Sequence, residues 1–221
     1  GSDSSPAWSP DGAWLTYTTV IQPDLIWYAT RHLAVISVEG GEPHVLTEPL
    51  DRRVSSPRFS PDGRHITFLL EDSAERHLAR IDVDGRNLTR IIPGQRSVRT
   101  YMTHRNGRIA TVISTPRIPG EIYMHDQAGL RKLTAVNESL FSAIRLGEVE
   151  NVTFNSRDGT EIEGFIIKPP GFDPRFKYPT LLRIHGGPVA QYDFAFNYEA
   201  QLFAANGYVV VMTNPRGSAG Y

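Results

Sequence analysis

Cysteine is absent from all 221 residues, which excludes disulfides, thiolate metal sites and a cysteine nucleophile. The absence fits a reducing compartment, and the expected location is cytoplasmic, although periplasmic proteins can also lack cysteine. An excess of one charge is missing too: Lys+Arg number 23 against 24 Asp+Glu, a net charge of −1. No basic footprint argues for nucleic acid, and no polybasic segment argues for a membrane surface. Near the end, the apolar run Tyr208-Val209-Val210-Val211-Met212 falls far short of the roughly 20 residues that cross a bilayer. The first residues, Gly1-Ser2-Asp3-Ser4-Ser5, carry neither the basic nor the apolar stretch of a secretion leader, and Gly1-Ser2 reads as a cloning scar. Asn-x-Ser/Thr sequons at Asn87, Asn137 and Asn151 are read as chance. What remains is a globular chain, 40% hydrophobic, whose partners are expected to be peptides or small molecules and which calls for no cofactor or metal.

An internal repeat organises the first part. Pro6-Ala7-Trp8-Ser9-Pro10-Asp11-Gly12-Ala13-Trp14-Leu15-Thr16-Tyr17 returns 51 residues later as Pro57-Arg58-Phe59-Ser60-Pro61-Asp62-Gly63-Arg64-His65-Ile66-Thr67-Phe68. Each copy reads as strand, Ser-Pro-Asp-Gly turn, strand: proline presets φ, Asp bonds nearby backbone, and Gly takes positive φ. Asp11 and Asp62 are therefore assigned to turn chemistry rather than catalysis. Trp8, Trp14, Tyr17 and Phe59 are expected in the core between repeats. A second pair of short strands follows each copy, at Leu33 to Val38 and at Leu78 to Val83, and a weaker third copy runs through Arg105 to Val112 and Ile122 to Asp126. Four short strands per ~45 residues is the pattern of a β-propeller blade, which cannot bury both faces without neighbours. Residues 1–135 are expected to form about three blades. Propeller rings close with about four to eight, so further blades are expected from more chain or from a partner.

After about residue 136 the pattern changes. Val152 to Phe154, the turn Arg157-Asp158-Gly159-Thr160 and Ile162 to Ile167 predict a hairpin, and the prolines between Lys168 and Pro174 predict a loop. Leu181 to Ile184 is a short apolar strand, expected to be buried on both faces. Tyr198 to Ala205 has helical spacing and an Asn206-Gly207 stop, and Tyr208 to Met212 is the next strand. Strand, helix and strand at this spacing predict a parallel crossover. The expected fold class is an incomplete ring of β-propeller blades, all-β, followed over residues 136–221 by the opening of an α/β domain.

The strand at Leu181 to Ile184 runs into His185-Gly186-Gly187-Pro188. Two glycines there let bare N–H groups approach a reacting oxygen, as acyl-transfer enzymes require; the alternative is a tight strand-to-loop turn and nothing more. A hydrolase nucleophile elbow needs Gly-x-Ser-x-Gly, and Gly-x-Ser occurs nowhere in these residues. Ser218 has Gly220 two places on, but Arg216 stands where the first glycine is needed. α/β-Hydrolase triads run in the order Ser, Asp, His, so His185 is read as a brace of the turn and not as a base.

In this order, the Ser-Pro-Asp-Gly turns, Phe154-Asn155-Ser156-Arg157-Asp158-Gly159, His185-Gly186-Gly187-Pro188 and Asn214-Pro215-Arg216-Gly217-Ser218 resemble the prolyl oligopeptidase family of serine peptidases, in its acylaminoacyl-peptidase branch. The resemblance covers nearly the whole chain. It implies a propeller that caps an α/β-hydrolase domain and limits entry to small, unfolded peptides. It implies that the Gly187 N–H is one oxyanion donor, with His185, Gly186 and Pro188 supporting the turn. Arg216 either contacts substrate in the pocket or pins its own loop. None of the Ser-Asp-His triad is present, so the chain is expected to be an internal part of the enzyme, inactive alone. A complementing chain is expected to carry the rest of the propeller and the triad. The implied reaction is hydrolysis of short or acylaminoacyl peptides through an acyl-enzyme. A carboxylesterase of the same fold, or a non-catalytic propeller binding module with a vestigial hydrolase segment, stay open as alternatives.

Overall fold

Three antiparallel meanders of four strands follow one another in the computed structural model, which describes residues 2–187 and 189–221. The first comprises β1 (Ser4–Trp8), β2 (Trp14–Val20), β3 (Arg31–Ser37) and β4 (His44–Val45). The second comprises β5 (Val54–Phe59), β6 (His65–Asp72), β7 (Glu75–Asp82) and β8 (Thr89–Ile92), and the third β9 (Ser97–Thr103), β10 (Ile109–Thr115), β11 (Ile118–Asp126) and β12 (Gly129–Lys132). One parallel pair, Arg76 with Ser97, marks where the second passes to the third. These are propeller blades.

The repeated turns are built from the same bonds. Asp11 Oδ1 accepts from the Ser9 hydroxyl at 2.5 Å and from Ala13 N–H at 3.0 Å, while Ser9 Oγ accepts from Trp14 N–H at 2.9 Å. Asp62 accepts from Ser60 and Arg64, and Ser60 Oγ accepts from His65 N–H, at nearly the same distances. The serine hydroxyl first, and the backbone N–H next, hold both carboxyls below the usual range. The copies also share a bulge: Ser5 and Ser56, each before a proline, sit at φ 57° and 55° where the strand register shifts.

Side chains alternate across each strand, and the alternation sorts the cores. Ile66, Phe68 and Leu70 of β6 pack with Leu33, Val35 and Leu46 of the first blade, whereas Leu69 packs with Leu78, Ile92, Val98 and Ile113 toward the third. Phe59 joins the first of these cores. Its repeat counterpart, Trp8, is 64% exposed, contrary to expectation. The reason is directional: Phe59 looks back toward the preceding blade, and among the described residues nothing precedes the blade of Trp8. Trp14 is exposed too and lines a cavity of about 380 Å³ with Val35, Phe59 and Val83.

A short helix, α1 (Glu138–Ala143), leads to a separate sheet of β13 (Glu148–Asn155), β14 (Glu161–Lys168), β15 (Thr180–Ile184) and β16 (Val209–Asn214), in the order β13-β14-β16-β15. Only β15 and β16 run parallel, connected through α2 (Tyr198–Ala205). Asn197 caps α2 by accepting from Ala200 N–H at 2.9 Å, and the helix stops at Asn206 and Gly207, the latter at φ +88°. Ala200 and Ala204 pack on Phe165, Ile167, Val210 and Met212. Arg183, in register with Met212, meets Glu199 of α2 through two bonds of 2.6 Å. The expectation that β15 is buried on both faces is not met: Leu182 and Ile184, on the face away from α2, are 61% and 71% exposed. Helix α2 covers one face, and no layer among the described residues covers the other. Ala74, from the turn between β6 and β7, completes the covered core and joins this sheet to the second blade. Among the described residues no helix is long and apolar enough to cross a membrane.

Candidate functional site

Strand β15 ends by delivering His185 to the loop that follows β16. His185 Nε2 lies 2.9 Å from Ser218 Oγ, and the Ser218 hydroxyl donates to the Pro215 carbonyl at 2.6 Å. With its one hydrogen spent on Pro215, the hydroxyl can only accept from the ring, so the imidazole carries hydrogen on Nε2. The ring also packs edge-on against Tyr192, with centroids 5.5 Å apart. This pairing of serine and histidine has the wrong polarity for a nucleophile and its base. The ring donates, the hydroxyl is buried, and Nδ1 faces the Gly186 carbonyl rather than a carboxylate. The geometry is that of a brace between β15 and the Asn214-Pro215-Arg216-Gly217-Ser218 loop.

The two glycines of the turn differ. Gly187 has φ +136°, and a Cβ there would lie 3.0 Å from Val189 N and 3.2 Å from the Ala190 Cβ. At Gly186 a Cβ would meet nothing within 4 Å. Gly187 is thus the position where backbone conformation and close approach both demand glycine. Pro188, the other expected support of the turn, lies outside the described residues.

Residues 189–196 are clamped from several directions. Arg53, between the first and second blades, donates to the Val189 carbonyl at 3.1 Å, and Ala219 N–H donates to the Ala190 carbonyl at 2.9 Å. The Asn214 side chain accepts from Tyr192 N–H at 2.7 Å and donates to the Tyr192 carbonyl at 2.9 Å. From the third blade Ser97 donates to Asp193 at 2.6 Å and Ser114 Oγ accepts from Phe196 N–H at 2.9 Å, and from the second the Ala74 carbonyl accepts from Phe194 N–H at 2.9 Å, so both blades hold the segment. Sequence reasoning missed Arg53, Ser97 and Asn214. Asn214 carried a signal, a polar residue closing an apolar strand, while the others are an arginine just before β5 and a serine opening β9, with nothing local to mark them.

Arg216 turns away from this clamp. Its guanidinium bonds Asp158 and the Thr160 hydroxyl at the turn between β13 and β14, a third Ser-x-Asp-Gly turn in which Ser156 donates to Asp158 at 2.5 Å. The Ser156 hydroxyl, then the Arg216 guanidinium, hold the Asp158 carboxyl well below the usual range. Arg216 also lines an open cavity of about 800 Å³ with Phe154, Ile162 and Pro215. Its hydrogen bonds pin the loop that carries Ser218.

No protein-family model matches the chain. Over its full length it is 26% identical to dipeptidyl-peptidase 5 of Porphyromonas gingivalis, covering 33% of that protein. Over 49% of its length it is 34% identical to the uncharacterized peptidase YuxL of Bacillus subtilis, covering 17% of it. The acylaminoacyl peptidase of Pyrococcus horikoshii superposes on 99% of the chain with a TM-score of 0.83 at 25% identity, covering 33% of that structure. The chain therefore spans about a third of the length of the full-length curated relatives it matches. Over its whole extent the chain is thus similar to dipeptidyl-peptidase 5, and it shares the fold of the matching third of acylaminoacyl peptidase.

Proposed function

We propose that this chain is part of a serine peptidase that cleaves short or acylaminoacyl peptides through an acyl-enzyme. Residues 1–135 supply three propeller blades, and residues 136–221 are the N-terminal part of an α/β-hydrolase domain that stops before the nucleophile elbow. In this reading the Ser, Asp and His of the triad come from residues outside 1–221, as do the remaining blades that cover Trp8 and the layer over Leu182 and Ile184. The serine oxygen adds to the peptide carbonyl, the Gly187 N–H bonds the developing oxyanion, the amine leaves with a proton, and water releases the acyl group. The second oxyanion donor is the N–H after the nucleophile. Each donor of such a pair is worth about 3 kcal/mol in the transition state, and in this reading residues 1–221 are inactive alone because the triad lies outside them.

The observation that carries the reading is Gly187 itself: a glycine at φ +136° at the end of a parallel strand, with the following backbone clamped by two blades. Labelling of the full-length protein with a fluorophosphonate, followed by mass mapping, tests it. One adduct on a serine outside residues 1–221, and cleavage of acylaminoacyl peptides, are expected. No adduct favours the binding module, and an adduct with turnover of simple esters but not peptides favours the carboxylesterase.

A further inference from the structure

The groove between neighbouring blades occurs twice among the described residues, and its lining changes character from the first copy to the second. Between the first and second blades, Trp14, Val35 and Phe59 line the cavity of about 380 Å³. Strand register gives their counterparts between the second and third. Thr16 pairs Val35 as Thr67 pairs Arg80, so Arg80 stands where Val35 does. Phe59 pairs Ile66 as Thr103 pairs Ile109, so Thr103 stands where Phe59 does. The 51-residue repeat puts His65 in the place of Trp14. These three residues line a cavity of about 320 Å³ together with Arg105, Ile91 and Ile109. Blades are held to one another by contact between neighbours, so polar side chains at all three positions give up burial that the same fold obtains one blade earlier. A packing rule broken three times in one groove is the pattern of a built site.

The polar groups of the second groove are not balanced against one another. Its carboxylates are occupied: Asp62 accepts from the Ser60 hydroxyl and Arg64 N–H, and Asp82, beside the groove, accepts from Asn87 and lies 3.4 Å from His65 Nε2. Its guanidiniums are free. Neither Arg80 nor Arg105, both exposed, has a hydrogen-bond or ion-pair partner among the described residues. An adjoining cavity of about 650 Å³ shares Arg80, Ile91 and Ile109 and adds Arg108, whose acidic partner Asp126 is 4.0 Å away and also accepts from Ala128 N–H. Thr103 supplies a second, independent sign: its hydroxyl oxygen is buried with no partner among the described residues, a costly state for a polar atom.

The groove lies away from the Gly187 turn. His65 opens β6, and the eight residues of that strand lead to Ser73, which bonds Gly220 at the opposite end of the blade. At about 3.3 Å per residue the two ends are some 25 Å apart. A ligand here is therefore separate from the proposed peptidase chemistry, and the inference does not rest on it.

We propose that the groove between the second and third blades binds a small phosphate monoester, with Arg80 and Arg105 taking the phosphate oxygens and Ile91 and Ile109 meeting an apolar body. Two unpaired guanidiniums match a dianion with three terminal oxygens better than a singly charged carboxylate with two. The apolar part of the lining selects a monoester over the free ion.

The test is calorimetric titration of the full-length protein at low ionic strength with phenyl phosphate, inorganic phosphate and phenylacetate. Phenyl phosphate is expected to bind at least about tenfold more tightly than either of the others. Arg80→Val, which installs the residue of the first groove, and Arg105→Ala are each expected to weaken it about tenfold or more. Arg64→Ala, on the neighbouring turn but outside the groove, is expected to stay within about twofold, which separates a site from a general loss of positive charge. Should Arg80→Val fail to fold, Arg80→Gln removes the charge at similar length and gives the same comparison. No binding of phenyl phosphate, binding that Arg80→Val leaves unchanged, or an equal loss in Arg64→Ala overturns the site. Phenylacetate or inorganic phosphate binding as tightly as phenyl phosphate overturns the monoester assignment.

Discussion

The first and second blades share a turn, a bulge and a pairing register, and they place equivalent aromatic side chains in opposite surroundings. Phe68 is fully buried between blades, while Tyr17, at the same place in the repeat, is only half-buried. Phe59 packs and Trp8 does not. The hairpin is local chemistry, reproduced wherever Ser, Asp and Gly recur at that spacing. Burial comes from the neighbouring blade, and the first blade has a described neighbour on one side only. The pair of blades therefore separates what a repeat encodes from what stacking adds.

The sharpest way to break this comparison is truncation on both sides of it. Phe68→Ala in the 221-residue chain is expected to cost about 3–5 kcal/mol in urea unfolding, as for a large aromatic removed from a closed core. Tyr17→Ala is expected to cost well under half as much. Equal losses would mean that Tyr17 is covered in solution, and that the asymmetry of the two blades is not real. In the full-length protein the two values are expected to converge, because the proposed further blades cover Tyr17.

A second contrast lies between the two glycines of the turn. If the full-length protein is the proposed peptidase, Gly187→Ala is expected to lower its kcat by at least about tenfold, since the new Cβ displaces Val189 and Ala190 and with them the proposed oxyanion donor. Gly186→Ala, with open space at its Cβ, is expected to stay within about threefold. Peptide turnover by the two variants side by side decides it, and equal effects would leave Gly187 without a special role. Arg53→Ala, which removes the donor to Val189, is expected to fall between them, with kcat reduced more than KM is raised.

These contrasts also show how much was legible beforehand. The Ser-Pro-Asp-Gly hairpins, the β15-α2-β16 crossover and the need for glycine after His185 could be read because each is enforced by residues close in sequence. The exposure of Trp8 could not, because its hydrophobicity says it packs without saying against what. The uncovered face of β15 escaped for the same reason: Leu182 and Ile184 look like core residues, and only the layers present decide whether they are. Arg53 is separated from Val189 by most of the chain, and nothing in its own surroundings points to a carbonyl there.

The smallest expected effect tests a polar difference between the blades. Where the first blade has Val20, the second has Glu71, whose carboxyl burial raises above the usual range against the pull of Arg76 and Arg53, with Asp193 adding to the rise. The folded chain then keeps a proton that the unfolded chain has lost above a pKa of about 4.3. Stability from this group accordingly falls as pH rises from there through the raised folded value, and the full penalty stands at neutral pH. Glu71→Gln removes the titration, so the variant is expected to be modestly more stable than wild type at pH 7, with the gain shrinking toward pH 4. Thermal unfolding of both proteins across that range measures it. A difference that does not change with pH would show that Arg53 and Arg76 hold the carboxylate as well as water does, and that charge at this corner costs the second blade nothing relative to the valine of the first.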